Sequence, residues 1–196
     1  MKQQLIALTG GIGAGKSVAA GILRAMGYPV YDCDDEARRL MDSSLEIKLQ
    51  IKESIGEGCV DCGMNLNRPA ISEIVFHDPE KLAQLNGIVH HHVREDIIRW
   101  KHSHSGNKLL FVETAILYQS GIDKLVDAVI DVTASESIRI SRVMARNNVT
   151  AEHAKARINA QKNDITRRHR LTFTIVNDGI KAILPQIEDI ISSLKS

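Results

Sequence analysis

The feature that most constrains this chain is a glycine-dense segment that follows a short apolar run. Leu5–Leu8 is typical of a buried strand, and the segment Gly10–Ser17 that comes next reads GGIGAGKS. The spacing between Gly10 and the triplet at positions 15–17 matches the P-loop pattern, in which backbone N–H groups and a helix N-terminus surround a phosphate. We therefore predict that a strand, a phosphate-binding loop and a helix open the chain.

Each fixed position of this loop has a chemical purpose. The glycines let the backbone approach a phosphate and adopt positive φ, which a side chain would make costly. Lys16 is expected to reach the outer phosphates, and the Ser17 hydroxyl is expected to ligate Mg²⁺ that arrives with a nucleotide. Val18 comes next and supplies no second hydroxyl. The alternative is a glycine-rich strand-to-helix turn that binds nothing.

Composition limits the class of partner. The chain has 196 residues, of which 43% are hydrophobic, and a net charge of +1, which fits one globular body. Near-neutral charge favours neither a nucleic acid nor a membrane as partner, so we expect a small-molecule ligand. The sequence has no apolar stretch of membrane-spanning length, and three cysteines do not suggest a disulfide framework. We expect a cytoplasmic protein, with its oligomeric state left open.

Strand-like runs alternate with helical patterns along the rest of the chain. Further strands are predicted at 28–31, 109–112, 128–132 and 173–176, with a helical insertion from Pro69 to about His104. Pro185 is expected to kink the last helix or delay its start. The alternation predicts an α/β fold with a doubly wound, five-stranded parallel sheet, helices on both faces, and ligands outside the carboxyl ends of the strands.

Carboxylates follow two of these strands. Asp32 and Asp34 come at the end of the second strand and Glu113 at the end of the third. Phosphoryl transfer to a hydroxyl needs a carboxylate that accepts or aligns the proton, and either aspartate could serve. A helix cap with first-turn acids is the alternative for the aspartates. Glu113 is a candidate contact to magnesium through water, although a solvated strand end explains it almost as well.

The segment from Glu136 to Arg170 is polar, helical in pattern and rich in arginine. Such a segment suits a lid that closes over a nucleotide and brings guanidinium groups to developing negative charge. Arg142 and Arg146 lie four residues apart on one helix face and are the candidates, whereas several of the other arginines are expected on solvated faces.

Together these motifs resemble the dephospho-CoA kinase family. The resemblance runs from about Ile6 to Gly179, and its further parts are Val30–Asp34 with Ala37-Arg38, Asn67-Arg68, Phe76, Leu85–His90, and Val149-Thr150 through Arg157 to Gln161. It implies a P-loop NTPase fold and an enzyme that uses ATP and Mg²⁺ to phosphorylate the ribose 3′-hydroxyl of dephospho-CoA, the last step of coenzyme A synthesis.

The resemblance also implies roles for individual residues. Asp34 would be the catalytic base, and Lys16 and Arg142 would stabilise the transferring phosphoryl group. By the same resemblance, the acceptor would be bound by Asp32, Arg38, Arg68 and His90. The loop and the lid pattern themselves predict that the nucleotide is bound by Gly11, Gly13, Ala14, Gly15, Lys16, Ser17, Val18 and Arg146, and Mg²⁺ by Ser17, with Glu113 as a candidate contact through water. The core would comprise residues 1–60, 106–138 and 171–196, the acceptor subdomain 61–105 and the lid 139–170.

Three other functions are weighed against this one. Another small-molecule P-loop kinase, of the shikimate type, would share the loop and the strand-two aspartate. A nucleotide-dependent switch is disfavoured because the guanine signature Asn-Lys-x-Asp does not occur. A metal-binding module would rest on the C-x-x-C spacing of Cys59 and Cys62, but Cys33 is the one remaining cysteine, so histidines would have to complete the site. The consecutive histidines 90–92 point in different directions on a helix and do not form such a site as a group.

Overall fold

The apolar runs form the strands of one parallel sheet. The structure is a computed structural model that describes residues 2–160 and 171–195. Its strands are β1 (Gln4–Thr9), β2 (Val30–Asp32), β3 (Leu109–Glu113), β4 (Ala128–Thr133) and β5 (Thr172–Val176). They lie in the order β2-β3-β1-β4-β5, and every neighbouring pair is parallel. The predicted five-stranded parallel sheet is thus confirmed.

Helices connect and follow the strands. They are α1 (Lys16–Ala25), α2 (Cys33–Ser43), α3 (Leu45–Ser54), α4 (Arg68–His77), α5 (Pro79–Ser103), α6 (Glu136–Asn147), α7 (Ala151–Ala160) and α8 (Ile183–Lys195). Pro185 lies in the first turn of α8, where a missing N–H costs no hydrogen bond, so the predicted late start is confirmed. No helix within residues 2–160 and 171–195 combines the length and apolar character that a membrane span requires.

The predicted helical insertion consists of two helices, α4 and α5. Asp78 ends α4 in an extended conformation because it precedes Pro79, which disfavours helical backbone at the residue before it. The Asp78 carboxylate then accepts hydrogen bonds from the backbone N–H groups of Glu80 (2.9 Å) and Lys81 (3.1 Å) and so caps α5.

The chain divides into two compact units. A sheet unit comprises residues up to Asp32 and from Lys101 onward, and a helical unit comprises Cys33–Trp100. The helical unit therefore begins before position 61, where the predicted acceptor subdomain begins. Contacts between its own helices explain this grouping, since Arg39 pairs with Asp96 at 2.9 Å and His92 hydrogen-bonds Gln50 at 3.1 Å.

The functional division of the chain stays a prediction. It assigns residues 61–105 to acceptor binding and residues 139–170 to a lid, and neither assignment follows from compactness alone. The positions 161–170, with Arg167, Arg168 and Arg170, lie outside the described residues.

One apolar core of the sheet unit lies between a face of the sheet and helices α1 and α8. Ile6 and Phe111 of the central strands are fully buried and belong to one apolar cluster with Leu23 of α1 and Ile191 of α8. Burial of this apolar surface is the main favourable term that holds α1, and therefore the loop before it, against the sheet.

Truncation of the α1 contact should destabilise the sheet unit. Leu23→Ala leaves a cavity at a fully buried site and should lower the free energy of unfolding by about 2–5 kcal/mol. Ile180→Ala is the matched control, because the Ile180 side chain is 90% exposed and its loss should change that free energy by less than about 0.5 kcal/mol. Urea unfolding of both variants provides the measurement, and equal losses would contradict the assignment of Leu23 to the core.

Candidate active site

The register of the parallel strands places acidic residues side by side. Glu113, the last residue of β3, pairs with Asp32, the last residue of β2, and on its other side with Leu8 of β1. All the strands run in the same direction, so their carboxyl ends share one edge of the sheet. The loop that follows β1 therefore begins at the same edge as the two carboxylates.

The phosphate loop has the conformation that its glycines predict. Gly13 and Gly15 adopt φ values of 79° and 96°, and Gly15 is the residue immediately before α1. The Ala14 N–H closes a turn on the Gly11 carbonyl at 3.0 Å. Because a helix leaves its first N–H groups without partners inside the helix, the start of α1 at Lys16 presents donors and the positive end of the helix dipole to an anion.

The carbonyl oxygens of this loop accept hydrogen bonds from side chains that are distant in the sequence. Arg139 Nε of α6 donates to the Ile12 carbonyl at 2.9 Å. Arg142 Nη1 lies 3.3 Å from the Gly13 carbonyl oxygen and 3.4 Å from that of Ala14. Asn177 Nδ2 donates to the Ala14 carbonyl at 2.8 Å. The carbonyl oxygens of the loop are thus bound by protein groups.

Arg139 packs directly behind the loop. A Cβ at Gly11 would overlap its guanidinium group, and a Cβ at Gly13 would lie 2.6 Å from its carbonyl oxygen. Burial lowers the pKa of the Arg139 guanidinium, while Glu136 and Asp131 raise it. Since arginine titrates far above neutral pH, Arg139 stays a cation and adds positive charge beside the loop.

Two cations surround the acidic pair at the sheet edge. Lys16 Nζ lies 3.9 Å from Glu113 Oε1, and Arg24 Nη2 lies 3.7 Å from Glu113 Oε2 and 3.8 Å from Asp32 Oδ2. The Glu113 side chain is only 9% exposed, so these charges compensate an otherwise costly buried carboxylate. The predicted Lys16, Asp32 and Glu113 are therefore brought together.

Oxygen atoms at this sheet edge and in the first turn of α1 have the donor chemistry that Mg²⁺ requires. Mg²⁺ is bound by hard oxygen ligands, usually one or two carboxylates with waters and substrate phosphates. Ser17, in the first turn of α1, supplies a hydroxyl, and Glu113 and Asp32 supply carboxylates at the adjacent sheet edge. This donor set fits a magnesium ion that is delivered with a nucleotide.

The other residues predicted for nucleotide binding lie on the outer part of the site. Val18 follows Ser17 in α1 and is 51% exposed. Arg146 is exposed near the end of α6, where its Nε atom lies 3.4 Å from Asn147 Oδ1. Of the paired arginines, Arg142 therefore contacts the loop in this arrangement, and Arg146 is turned to its own helix end.

The residues predicted for the acceptor, apart from Asp32, belong to the helical unit. Asp34 lies in the first turn of α2, as the capping alternative expects. Arg38 pairs with Asp35 at 2.9 Å and Arg68 with Asp42 at 2.7 Å, and both guanidinium groups remain more than half exposed. Burial, with a contribution from Arg94, lowers the pKa of His90, which favours a neutral imidazole.

The cysteine pair does not assemble a metal site in the described part of the chain. Cys59 is buried, which raises the pKa of its thiol, whereas Cys62 is exposed. Within residues 2–160 and 171–195, no group of three or more histidine, cysteine or acidic side chains is placed to hold a metal ion. The histidines 90–92 are half-buried, exposed and buried in turn, as their helical spacing predicts.

Three residues at this site were not found from the sequence. Arg24 lies seven residues after Ser17, and this two-turn spacing on one helix face was an available signal. Arg139 belongs to the arginine-rich segment that begins at Glu136, and its place in the sequence gives it no role of its own. Asn177 follows the last strand, and an Asn-Asp-Gly turn at a strand end gives no sign by itself of a contact made 163 residues away.

Comparison with known proteins agrees with this geometry. The family model described as dephospho-CoA kinase (CoaE) matches residues 4–182. The chain belongs to the dephospho-CoA kinase family. Membership makes it a kinase, in a family that uses ATP and acts in the final step of coenzyme A synthesis.

Individual dephospho-CoA kinases are similar to the chain over nearly their whole length. The Bacteroides fragilis dephospho-CoA kinase is 34% identical over 189 residues, which are 96% of this chain and 92% of that one. The Staphylococcus saprophyticus dephospho-CoA kinase is 36% identical and covers 93% of this chain, with 89% of its own length matched. A crystal structure from Thermus thermophilus is 32% identical, has a TM-score of 0.77, and covers 99% of this chain and 97% of its own.

The conformation of the loop predicts the effect of a Cβ at Gly15. Gly15→Ala forces an alanine into the left-handed region, at a cost of about 1–2 kcal/mol, and its Cβ would overlap the Asn177 amide. We expect lower stability and weaker ATP binding. Urea unfolding and calorimetric titration with ATP measure the two effects.

Gly21→Ala is the matched control within α1. Apart from the nearby backbone of its own helix, no heavy atom of the described residues lies within 4 Å of the Cβ position at Gly21, so this substitution should raise the stability by about 0.5–1 kcal/mol. It should leave ATP binding unchanged. A Gly15→Ala variant that binds ATP as the Gly21→Ala variant does would contradict this account of the loop.

Proposed function

We propose that the protein transfers the γ-phosphoryl group of ATP to the 3′-hydroxyl of the ribose of dephospho-CoA. The observation that carries this proposal is the meeting, at one sheet edge, of the phosphate loop, Lys16 and the acidic pair Asp32 and Glu113. Phosphoryl transfer requires little covalent chemistry from a protein, so positioning and neutralisation of charge are the tasks that such an edge has to perform.

On the ATP side, the chain would hold the phosphates with backbone donors and cations. The N–H groups at the start of α1 and Lys16 would bind the outer phosphate oxygens. Lys16 is 3.9 Å from Glu113, so its ammonium group is close to the edge but is not locked in a short hydrogen bond with that carboxylate. Arg142, and Arg146 from the next turn of α6, would add positive charge as negative charge develops on the transferred group.

The carboxylates would divide into two tasks. Ser17, with Glu113 through water, would hold Mg²⁺, and the ion would neutralise part of the charge of the phosphates. Asp34 would accept the proton of the acceptor hydroxyl, and this role rests on the family resemblance together with its position two residues after β2. A base that removes this proton makes the oxygen a better nucleophile toward the phosphoryl group.

The acceptor would be recognised by Asp32, Arg38, Arg68 and His90. The exposed guanidinium groups of Arg38 and Arg68 suit the pyrophosphate of dephospho-CoA, because arginine binds phosphate oxygens through paired N–H donors. Residues 61–105 would serve as the acceptor subdomain, and residues 139–170 as the lid over the nucleotide. A cytoplasmic location completes the proposal and rests on cysteine usage.

The direct test is conversion of dephospho-CoA to coenzyme A by the purified protein with ATP and Mg²⁺, followed by mass spectrometry. A gain of one phosphoryl group on the ribose is expected. The test should include shikimate and other small hydroxyl compounds, because a shikimate-type kinase would phosphorylate one of them in preference. Failure to phosphorylate dephospho-CoA by a protein that binds ATP would overturn the proposed substrate.

Replacement of the proposed base should separate chemistry from binding. Asp34→Asn should lower kcat by about 10²-fold or more, since a positioned general base contributes on that scale. Binding of ATP should be retained. Glu36→Gln is the control, because it removes a carboxylate from the first turn of the same helix. Steady-state kinetics with dephospho-CoA decide the matter, and equal kcat values for the two variants would remove Asp34 from this role.

Replacement of the hydroxyl at position 17 should change the magnesium requirement. Ser17→Ala removes an oxygen ligand and should raise the Mg²⁺ concentration for half-maximal rate by about tenfold or more, by analogy with the loss of groups that support a metal site. Ser17→Thr keeps the hydroxyl and should stay close to the parent. Magnesium titrations at fixed ATP provide the comparison. Identical titrations for alanine and threonine would show that this hydroxyl does not ligate the ion.

A further inference from the structure

Asn177 occupies a fixed position directly after β5. Its backbone N–H donates to the Thr133 carbonyl at 2.8 Å, which continues the pairing of β5 with the end of β4. The residue is only 7% exposed. A buried amide side chain must be hydrogen-bonded, because an unsatisfied amide in an apolar environment is costly.

The Asn177 side chain joins two parts of the ATP side of the site. Its Nδ2 atom donates to the Ala14 carbonyl at 2.8 Å, and its Oδ1 atom accepts from Arg142 Nη2 at 3.2 Å. Arg142 Nη1 in turn lies within 3.4 Å of the Gly13 and Ala14 carbonyl oxygens. The loop, the amide and the guanidinium group thus form a closed set of hydrogen bonds.

An amide side chain is suited to the two hydrogen-bond partners of Asn177, the Ala14 carbonyl and the Arg142 guanidinium group. One end of the side chain must donate to a carbonyl and the other must accept from a guanidinium group, and asparagine supplies both functions. The fit is also steric, since a Cβ at Gly15 would overlap Asn177 Nδ2. Asn177 therefore fills the space that the glycine leaves and orients the backbone just before α1.

We propose that Asn177 is a positioning residue that sets the conformation of the phosphate loop and the orientation of Arg142. Through them it determines the affinity for ATP and the rate of phosphoryl transfer. The predicted effect of Asn177 on the rate of phosphoryl transfer rests on the proposed function. The predicted effect of Asn177 on ATP affinity depends only on the conformation of the loop. In this proposal Asn177 acts through its hydrogen bonds to Ala14 and Arg142, and not by contact with the acceptor.

The proposal predicts a specific kinetic pattern. Loss of the amide should allow the loop to sample conformations in which its N–H groups do not converge on phosphate, so the KM for ATP rises. It should also release Arg142 from its fixed orientation, so kcat falls. The KM for dephospho-CoA should stay unchanged, because the contacts of Asn177 described above are all with the loop, Arg142 and the end of β4.

Two substitutions and one control test this pattern. Asn177→Ala removes both hydrogen bonds, and Asn177→Asp keeps the shape and the acceptor toward Arg142 but places an oxygen against the Ala14 carbonyl. Gln186→Ala is the matched control: Gln186 also uses its amide to bind this strand, through the N–H and carbonyl of Val176 at 2.8 and 3.0 Å, at the residue before Asn177. The hydrogen bonds of Gln186 go to Val176 and to the Ala182 carbonyl at 2.9 Å, which lie outside the loop.

ATP affinity is measured first by calorimetric titration with Mg²⁺ and without acceptor, and the kinetic constants and melting temperature follow. Both Asn177 variants should bind ATP about tenfold more weakly, the loss expected from one or two buried hydrogen bonds. Gln186→Ala should lower the melting temperature but keep the ATP affinity. Asn177→Asp preserves the shape of the side chain, so the test can still be carried out with this variant if Asn177→Ala does not fold.

The possible results separate the two proposals. A folded Asn177→Asp variant with parental ATP affinity would overturn the positioning role, as would an equal loss of affinity in Gln186→Ala. A parent that binds ATP but does not form coenzyme A would overturn the proposed substrate, while the ATP titrations would still decide whether Asn177 positions the loop.

Discussion

The site depends on how the carbonyl oxygens of one loop are satisfied. A loop that turns its N–H groups toward a phosphate must turn carbonyls away from it, and buried carbonyls need donors as much as buried amides do. Here the donors are Arg139, Arg142 and Asn177, which reach Ile12, Gly13 and Ala14 from α6 and from the end of β5. The loop is therefore preorganised before any ligand binds, so less of the binding energy is spent on ordering it.

The second constraint is the register of the parallel sheet. Pairing of Asp32 with Glu113 places two carboxylates side by side, which would be unfavourable without compensating charge. Lys16 and Arg24 supply that charge from α1, the same helix that carries the phosphate loop at its N-terminus. The acidic pair and the phosphate loop are therefore linked through one helix, and the packing of α1 against the sheet positions both.

Much of this arrangement could be predicted from local sequence. The glycine spacing and the buried runs, such as the fully buried β3, determine the loop and the parallel sheet through short-range sterics and apolar periodicity. The edge position of Asp32 and Glu113 followed because parallel strands end together. Arg139 and Asn177 could not be found in this way, because their contacts join residues more than 120 positions apart and depend on side-chain directions that no local pattern encodes. The assignments of Asp34, Arg38, Arg68 and His90 stay predictions, since they rest on resemblance.

The distance along the chain between the loop and its donors has a consequence for biosynthesis. The loop lies near the start of the chain, whereas Asn177 lies 163 residues after Ala14 and its strand is the last of the sheet. During translation the first strand, the loop and α1 leave the ribosome long before β5 does. The nascent chain therefore carries the complete glycine motif before the Asn177 amide is available to orient it. The full affinity for nucleotide should be reached only when β5 has paired with β4 at the edge of the sheet.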